Sequence, residues 1–542
     1  MTRNATPPLA GRREWIGLAV LALACLLYVM DLTVLHLAVP SLSADLAPSS
    51  AQLLWIIDIY GFMVAGFLVT MGTLGDRIGR RKLLLIGAAA FGALSVLAAF
   101  STSPEMLILS RALLGIAGAT VAPSTLSLIF SMFQDPGQRA RAIAVWISAF
   151  SAGGAIGPIL GGVLLEYFWW GSVFLLALPV MAALLILGPI VLPEYKDENA
   201  GRLDIPSVVL SLVAVLSTIF GLKQIAQDGF GLLPVATVAG GLLVGAAWVR
   251  RQLSLADPMI DVRLFRIPAF TAALGVNFLT IFVATGYFLF VAQYLQLVLG
   301  LSPLEAGAWS LPSAVGFIVG SNIAPRLVKR IRPPHLIALS LLVAAAGLAV
   351  LTQVGGSNGL AIVVGSSLVI SLGLAPVFGL TTELIVGSAP PERAGAASGI
   401  SETGSELGGA LGISILGSIG VAIYRQDVAG ALPPGVPADA VTIARDTLGG
   451  AVAVAAELPA QVGAALLAAA QDAFVQGMQV VAGISGALAV GVALYAIRTL
   501  RNVEAGSHPG DGPDAEPADT PHSTTEPDRR PSMAGTAAAE PC

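Results

Sequence analysis

Apolar runs about twenty residues long recur fourteen times along this chain, and that recurrence constrains its fold more than any other feature. Coiled at 1.5 Å per residue, such a run crosses roughly 30 Å of hydrocarbon. Inside lipid every backbone amide and carbonyl must be paired within the chain, so the runs predict helices. They fall at about 15–40, 52–73, 83–101, 105–129, 139–165 and 170–192, then 206–224 and 231–249. The last six lie at about 270–298, 304–325, 335–353, 359–385, 393–422 and 473–497. Only 11% of the residues are charged, against about 25% in soluble domains. The expected class is an all-α polytopic membrane protein.

Basic residues orient the helices. Arg12, Arg13, Arg77, Arg80, Arg81, Lys82, Arg139, Arg250, Arg251, Lys329 and Arg330 all fall on the side of the N-terminus, whereas Lys223, Arg425 and Arg445 fall opposite. That asymmetry predicts both termini in the cytoplasm. The Arg12–Arg13 pair before an apolar run superficially resembles a secretory signal, but the run is long and has no clear A-x-A site, so it reads as a retained first span. A net charge of -5 with scattered basic clusters gives no nucleic-acid footprint. Cys25, inside the first span, and Cys542, the last residue, suggest neither a disulfide nor a metal site. No cofactor is expected, and no metalloprotease, hydrolase or phosphate-loop motif suggests an enzyme. Segment 425–472 is too broken to span and is expected to form short amphipathic helices at the outer surface. The Pro-, Gly- and acid-rich tail 502–542 is expected to be disordered.

The halves echo one another. Gln138-Arg139-Ala140-Arg141-Ala142, followed by Gly153-Gly154, corresponds to Glu392-Arg393-Ala394-Gly395-Ala396, followed by Gly408-Gly409. The reading is an N-terminal stretch 1–14, a six-helix bundle 15–192, an inserted helix pair 206–249 and a second six-helix bundle 270–497.

Ionisable residues inside spans are expensive and mark function. Asp31 lies nine residues before Pro40, roughly 13 Å below one face, where a charge costs on the order of 3 kcal/mol. Arg111 lies at a similar depth in the fourth span, so an ion pair or proton-controlled exchange is plausible if the two helices are neighbours. Asp58 lies at a comparable level of the second span. Glu402 and Glu406, spaced i, i+4, share one face of the thirteenth span near mid-membrane. The repeat pairs them with Ser148 and Ala152, so the scaffold does not require acids there. Two carboxylates desolvated together cannot both ionise cheaply, which suits proton exchange. Trp55, Tyr60, Trp146, Phe150, Tyr287 and Phe378 could stack on a lipophilic cation. Asn277 could line the same pathway or bond a neighbouring helix.

Three motifs complete the reading. Gly72-Thr73-Leu74-Gly75-Asp76-Arg77-Ile78-Gly79-Arg80-Arg81-Lys82 joins the second and third spans, and its spacing is too particular for an ordinary basic loop. Arg111 stands in Ser110-Arg111-Ala112-Leu113-Leu114-Gly115. The fifth span carries Gly153-Gly154-Ala155-Ile156-Gly157-Pro158-Ile159-Leu160-Gly161-Gly162, where small residues permit close helix approach. These resemble the signature loop, the membrane-embedded arginine motif and the antiporter motif of the major facilitator superfamily. With fourteen spans and Met30-Asp31-Leu32-Thr33, the chain looks most like the fourteen-helix drug:proton antiporters of the QacA, SmvA and LfrA group. The resemblance implies two six-helix bundles around a central helix pair. It further implies monomeric export of lipophilic cationic small molecules across the lipid bilayer of a bacterial cytoplasmic (inner) membrane in exchange for protons, with quaternary ammonium compounds, biguanides and dyes as substrates. It also raises the weight of Asp58, because QacA-like exporters carry an acid in that helix. A dedicated exporter of an endogenous antibiotic or metabolite fits the same scaffold.

Overall fold

A computed structural model describes residues 9–196, 204–229, 231–255, 258, 260, 262–389 and 394–501. Glu392 and Arg393 of the repeat and the tail from 502 lie outside the described residues, as does the side chain of Phe150. The first half comprises α1 (Arg12–Leu46), α2 (Ser50–Ile78), α3 (Arg80–Ala99), α4 (Pro104–Gly118), α5 (Val121–Met132), α6 (Pro136–Tyr167), α7 (Ser172–Leu175) and α8 (Ala177–Val191). A hairpin of α9 (Ile205–Asp228) and α10 (Leu232–Ser254) follows. The second half comprises α11 (Pro268–Gln293), α12 (Pro303–Trp309), α13 (Leu311–Leu327), α14 (Pro333–Leu351) and α15 (Gly359–Gly387). It continues with α16 (Ala394–Ala431), α17 (Ala438–Asp446), α18 (Leu448–Glu457) and α19 (Ala460–Thr499).

Among the described residues, twelve helical segments are long and apolar enough to cross a membrane. Two sequence-expected spans fall outside that set. The run 139–165 lies within α6, a 32-residue helix whose apolar stretch with described side chains is Ala152–Tyr167. The run 304–325 is divided at Ser310 into α12 and α13. α4 and α5, and α7 and α8, are each interrupted by a turn yet form single crossing segments.

Local chemistry starts these helices where the sequence signals lie. Ser49 with Gln52 and Ser302 with Glu305 close reciprocal capping boxes at α2 and α12. Ser103 and Asp135 accept first-turn amides of α4 and α6, and a proline follows each, where a missing N–H costs nothing.

The hairpin α9–α10 is an outer layer. Over their apolar windows α10 is 6% buried and α9 22%, against 72% for α2. α9 nevertheless lies on both halves at once, through a cluster of Phe62 from α2, Ile219 from α9 and Ala410 from α16. Polar bonds tie its foot. Arg251 reaches the Asp204 carboxylate at 2.8 and 2.7 Å, and Gln252 donates to Ser207 at 2.7 Å. The Arg251 hydrogen bond holds the Asp204 carboxyl below its usual range. Its stabilising effect is therefore present above the unfolded carboxylate value and is lost as pH falls through the folded one. Because the Arg251 side chain is 38% exposed, the effect is small and local. Hydrogen exchange should register faster amide exchange in the first turn of α9 at pH 3 than at pH 6, and no such contrast in Asp204→Asn.

The two halves meet from mid-span to the end opposite the N-terminus, here the far end. Gln296 donates to the Leu37 carbonyl at 3.0 Å, and the Leu304 amide donates to Glu166 at 3.5 Å. A Cβ at Gly162 would stand 2.8 Å from the Pro303 carbonyl oxygen, so α6 and the start of α12 touch backbone to backbone. α16 and α19 run 38 and 40 residues, extending past the apolar runs 393–422 and 473–497. Between them α17 and α18 fold over the far end. Ser50 donates to the Asp446 carbonyl, Arg425 pairs with Asp446 at 3.6 Å, and Tyr424 donates to the Ala444 carbonyl at 2.8 Å. Gly449 packs on Ser43 of α1. Leu448, Ala451 and Val454 bury the apolar face of this cap.

Candidate functional site

The interior charges assemble at mid-span from three helices of the first half and one of the second. α4 approaches α2 closely because Gly115 and Gly118 carry no side chain. A Cβ at Gly115 would stand 2.5 Å from the Tyr60 carbonyl oxygen, and one at Gly118 would stand 2.6 Å from the Tyr60 hydroxyl. This approach places Arg111 of α4 among Tyr60, Phe174 and α1. Arg111 is fully buried. Its Nη1 pairs with Oδ2 of Asp31, itself 7% exposed, and its Nε donates to the Ile56 carbonyl at 3.3 Å. The guanidinium lies 4.7 Å from the Tyr60 ring centre and 5.8 Å from that of Phe174. A desolvated cation over an aromatic face gains about 2 kcal/mol. The two charges that are costly alone are therefore held as one compensated pair.

Glu406 of α16 faces this assembly from the other half. Its Oε1 accepts the hydroxyl of Tyr28, three residues before Asp31 on α1. A Cβ at Gly61 of α2 would stand 3.9 Å from its Oε2, so the carboxylate lies against α2 as well. The Tyr28 and Tyr60 ring centres are 6.1 Å apart, and Tyr60 in turn underlies Arg111. Glu402 lies one turn along α16, within electrostatic reach of Tyr28 and Cys25. Asp58 is 1% exposed, one turn from Gly61 toward the far end of α2. Asp31, Arg111 and Glu406 are thus connected, with Glu402 and Asp58 one helical turn to either side.

The expected pocket aromatics separate into groups. Tyr60 is inside the charge assembly. Trp146 donates to Thr125 Oγ1 at 3.0 Å, and Cys25 lies 3.5 Å from the same oxygen, which puts the indole on the Glu402 side. Trp55 stands edge-on to Phe62 in the cluster under α9. Tyr287 is 1% exposed and stacks on Phe288, and Phe378 packs on Phe317, all within the second half. Asn277 bonds Ser405 of α16 at 2.9 Å and Thr381 of α15 at 3.0 Å, which makes it a tie between helices.

Comparison with known proteins places this geometry in a family. The model described as Major Facilitator Superfamily matches residues 21–413. The chain belongs to the major facilitator superfamily. It is 44% identical over 481 residues to the multidrug efflux pump LfrA of Mycolicibacterium smegmatis, covering 89% of this chain and 95% of that protein. It is 36% identical to the methyl viologen resistance protein SmvA of Salmonella typhimurium (88% and 96% covered). It is 31% identical to a tetracenomycin C resistance and export protein of Streptomyces glaucescens (90% and 92% covered). Among solved structures it resembles a bacterial homolog of the human lysosomal transporter Spinster in an inward-facing, unoccupied conformation. That match has TM-score 0.64 and 17% identity, over 92% of this chain and 99% of the other.

The 72–82 loop has a definite geometry here. Asp76 pairs with Arg80 at 2.6 Å, Arg80 reaches the Pro123 carbonyl of α5, and the Arg80 amide donates to the Tyr195 carbonyl. Arg81 pairs with Glu194 at 3.4 Å and donates to the Leu192 carbonyl at 2.9 Å. Gly79 sits at φ +109°, where a side chain would be strained and would strike Glu194. Gly75 makes room for the Arg80 side chain, Gly72 lies near Pro123, and Arg77 is exposed. The loop therefore latches the α2–α3 turn to α5 and to the end of α8. The glycine-rich stretch of α6 is likewise a contact device. Gly153 and Gly161 lie against Leu26 and Val34 of α1, Gly157 against Thr33, while Pro158 and Gly162 face α12.

Sequence reasoning did not single out Tyr28 or Glu194. Tyr28 carried a signal, since a hydroxyl at i−3 from a buried acid shares its helix face. Glu194 carried none, because only folding brings it to Arg81, 113 positions away.

Proposed function

We propose that this protein is a proton-coupled antiporter that exports hydrophobic mono- and divalent cations across the bacterial cytoplasmic membrane by alternating access. Quaternary ammonium antiseptics, biguanides and dyes are its substrates, and protons its counter-ions. The chain works as a monomer with fourteen crossings and both termini in the cytoplasm. The observation that carries the reading is the connected set of Asp31, Arg111 and Glu406, drawn from both halves, with Glu402 beside it. In a water-poor interior an uncompensated carboxylate binds either a proton or a lipophilic cation, and the two compete for one charge. Protons entering from outside neutralise Asp31, Glu402 or Glu406 and release the drug. Their loss to the cytoplasm restores the negative charge that captures the next cation. Asp58 offers a second anionic contact for divalent cations, and Tyr28, Tyr60 and Trp146 offer faces for the cation to stack on. The similarity to LfrA and SmvA supports drug export.

A second reading, a dedicated exporter of an endogenous antibiotic, is favoured by the similarity to the tetracenomycin C exporter. Dye efflux in vesicles under an imposed pH gradient tests the first. Wild type should expel cationic dyes in proportion to the gradient, while Asp31→Asn and Glu406→Gln stop and Asp58→Asn fails chiefly with dications. Glu402→Gln should lose its dependence on the gradient. If all four variants pump normally, the site assignment is wrong. If wild type moves no cation but does move tetracenomycin C, the second reading replaces the first.

A further inference from the structure

At the end of the bundle that carries the N-terminus, the fold uses several basic side chains of the first half internally. Arg80 pairs with Asp76 and Arg81 with Glu194, while Arg139 bonds the Phe133 carbonyl at 2.8 Å and lies over the Phe130 ring. Four basic side chains further along the chain have no such partner. They are Arg250 at the foot of α10, Arg266 in the linker before α11, and Lys329 and Arg330 in the turn between α13 and α14. All four are exposed, and among the described residues none of them forms an ion pair. Packing gathers them from three separate stretches. The linker Val262–Arg266 makes one 3-10 turn, and its Leu264 is buried in an apolar cluster with Phe270 of α11 and Leu336 of α14. Leu327, Val328 and Ile331 of the α13–α14 turn pack on the same cluster. On the hairpin side, the Ile260 amide donates to the buried Gln252 of α10 at 3.4 Å. The foot of α10, the linker and the α13–α14 turn are thus held around one apolar centre.

We propose that this surface binds an anionic phospholipid, whose headgroup is held by Arg250, Arg266, Lys329 and Arg330 and whose acyl chains lie along α10. Turning Leu264 inward leaves Phe265 outward, 43% exposed and edge-on to Phe270. Toward mid-span α10 presents Leu242, Leu243 and Val249, all exposed. Exposed cations beside an exposed phenyl ring and an uncovered apolar helix match the level at which lipid phosphates meet acyl chains. A guanidinium can hold a phosphate through two parallel hydrogen bonds. A zwitterionic headgroup brings a cation of its own to this patch, whereas an anionic one brings net negative charge. Arg251 and Arg263 of the same region already have interactions of their own. The acids of the region are Asp204, paired with Arg251, the exposed Glu383 of α15, and Asp257 and Asp261, which lie outside the described residues. Because the four cations come from the hairpin, the linker and the second half, one bound lipid ties the hairpin to that half.

Native mass spectrometry of the full chain, titrated with phosphatidylglycerol and in parallel with phosphatidylcholine, tests this. Wild type should retain phosphatidylglycerol the more tightly. Raising ammonium acetate from about 0.1 to about 1 M should shrink that preference, because the screening length falls from about 10 to about 3 Å. Arg250→Gln/Arg266→Gln should weaken phosphatidylglycerol about fivefold per charge removed and narrow its lead over phosphatidylcholine. Lys329→Gln/Arg330→Gln should do the same from the other side of the patch, so either pair decides if the other does not fold. Arg13→Gln/Arg141→Gln removes two exposed charges from the same end of the first half and should keep the preference. An equal loss in this control pair marks general surface charge and overturns the proposal, as does equal retention of the two lipids by wild type. Displacement of phosphatidylglycerol by inorganic phosphate would mark a site for the free ion and overturn it as well.

Discussion

Asp31→Asn is expected to abolish cation export and to destabilise the protein by about 3–5 kcal/mol, because the change leaves Arg111 as a buried, uncompensated charge. Arg111 is fully buried, and its remaining contacts are one backbone carbonyl and two aromatic faces. None of these replaces an anion. The stability loss should appear as a lower unfolding temperature in detergent, at neutral pH and at high salt alike, since screening does not reach a buried pair. The double variant Asp31→Asn/Arg111→Gln separates the two effects. Removing both charges should restore most of the stability, because the desolvation cost of the pair disappears with its attraction. Export should remain absent, because the negative charge exchanged between proton and drug is gone. Recovery of gradient-driven efflux in the double variant would sink the assignment of Asp31 to coupling.

The second large effect is mechanical. A Cβ at Gly307 of α12 would stand closer to Pro158 on α6 than ordinary contact allows, 3.2 Å from its carbonyl carbon and nearer still to the oxygen. Gly307→Val therefore wedges the far-end contact between the halves. Overpacking of this kind costs about 1–3 kcal/mol in the closed arrangement, which shifts the balance between closed and open far ends by roughly 5- to 150-fold. The substitution Gln296→Cys reports the change, since the glutamine side chain bonds Leu37 across the same boundary. With Cys542 removed and Cys25 buried, a membrane-impermeant maleimide added from outside should label the introduced thiol faster when Gly307→Val is also present, and dye efflux should fall in step. Unchanged labelling would mean that α6 and α12 do not form the moving contact.

Much of this was legible in the residues. Apolar length dictated helices because lipid leaves backbone groups no other partner. Asp31 and Arg111 were readable as lying at a similar depth, since rise per residue converts sequence position into depth in the membrane, but depth did not say that their helices would be neighbours. The glycines of α6 signalled close approach, although not which helices would meet them. Other features were less legible. The break at Ser310 reads through as one apolar run although Pro312 signals it, and the extensions of α16 and α19 accompany the cap formed by α17 and α18. Trp55, chosen as a pocket aromatic, is drawn under α9 by a packing choice that a helix periodicity does not encode. Asn277 could have lined a pathway or tied helices, and only its bonds to Ser405 and Thr381 decide between them.

The sequence by itself determined that this chain is helical, embedded in a membrane and charged at a few interior points, because those properties follow from local composition and the solvent around it. The tertiary structure alone decided which charges meet. It paired Arg111 with Asp31, gave Glu406 and not Glu402 the hydroxyl of Tyr28, and laid α9 across the seam between α2 and α16. Contacts such as that of Tyr28 with Glu406, 378 positions apart, depend on how helix faces rotate and pack, and no local pattern specifies that rotation.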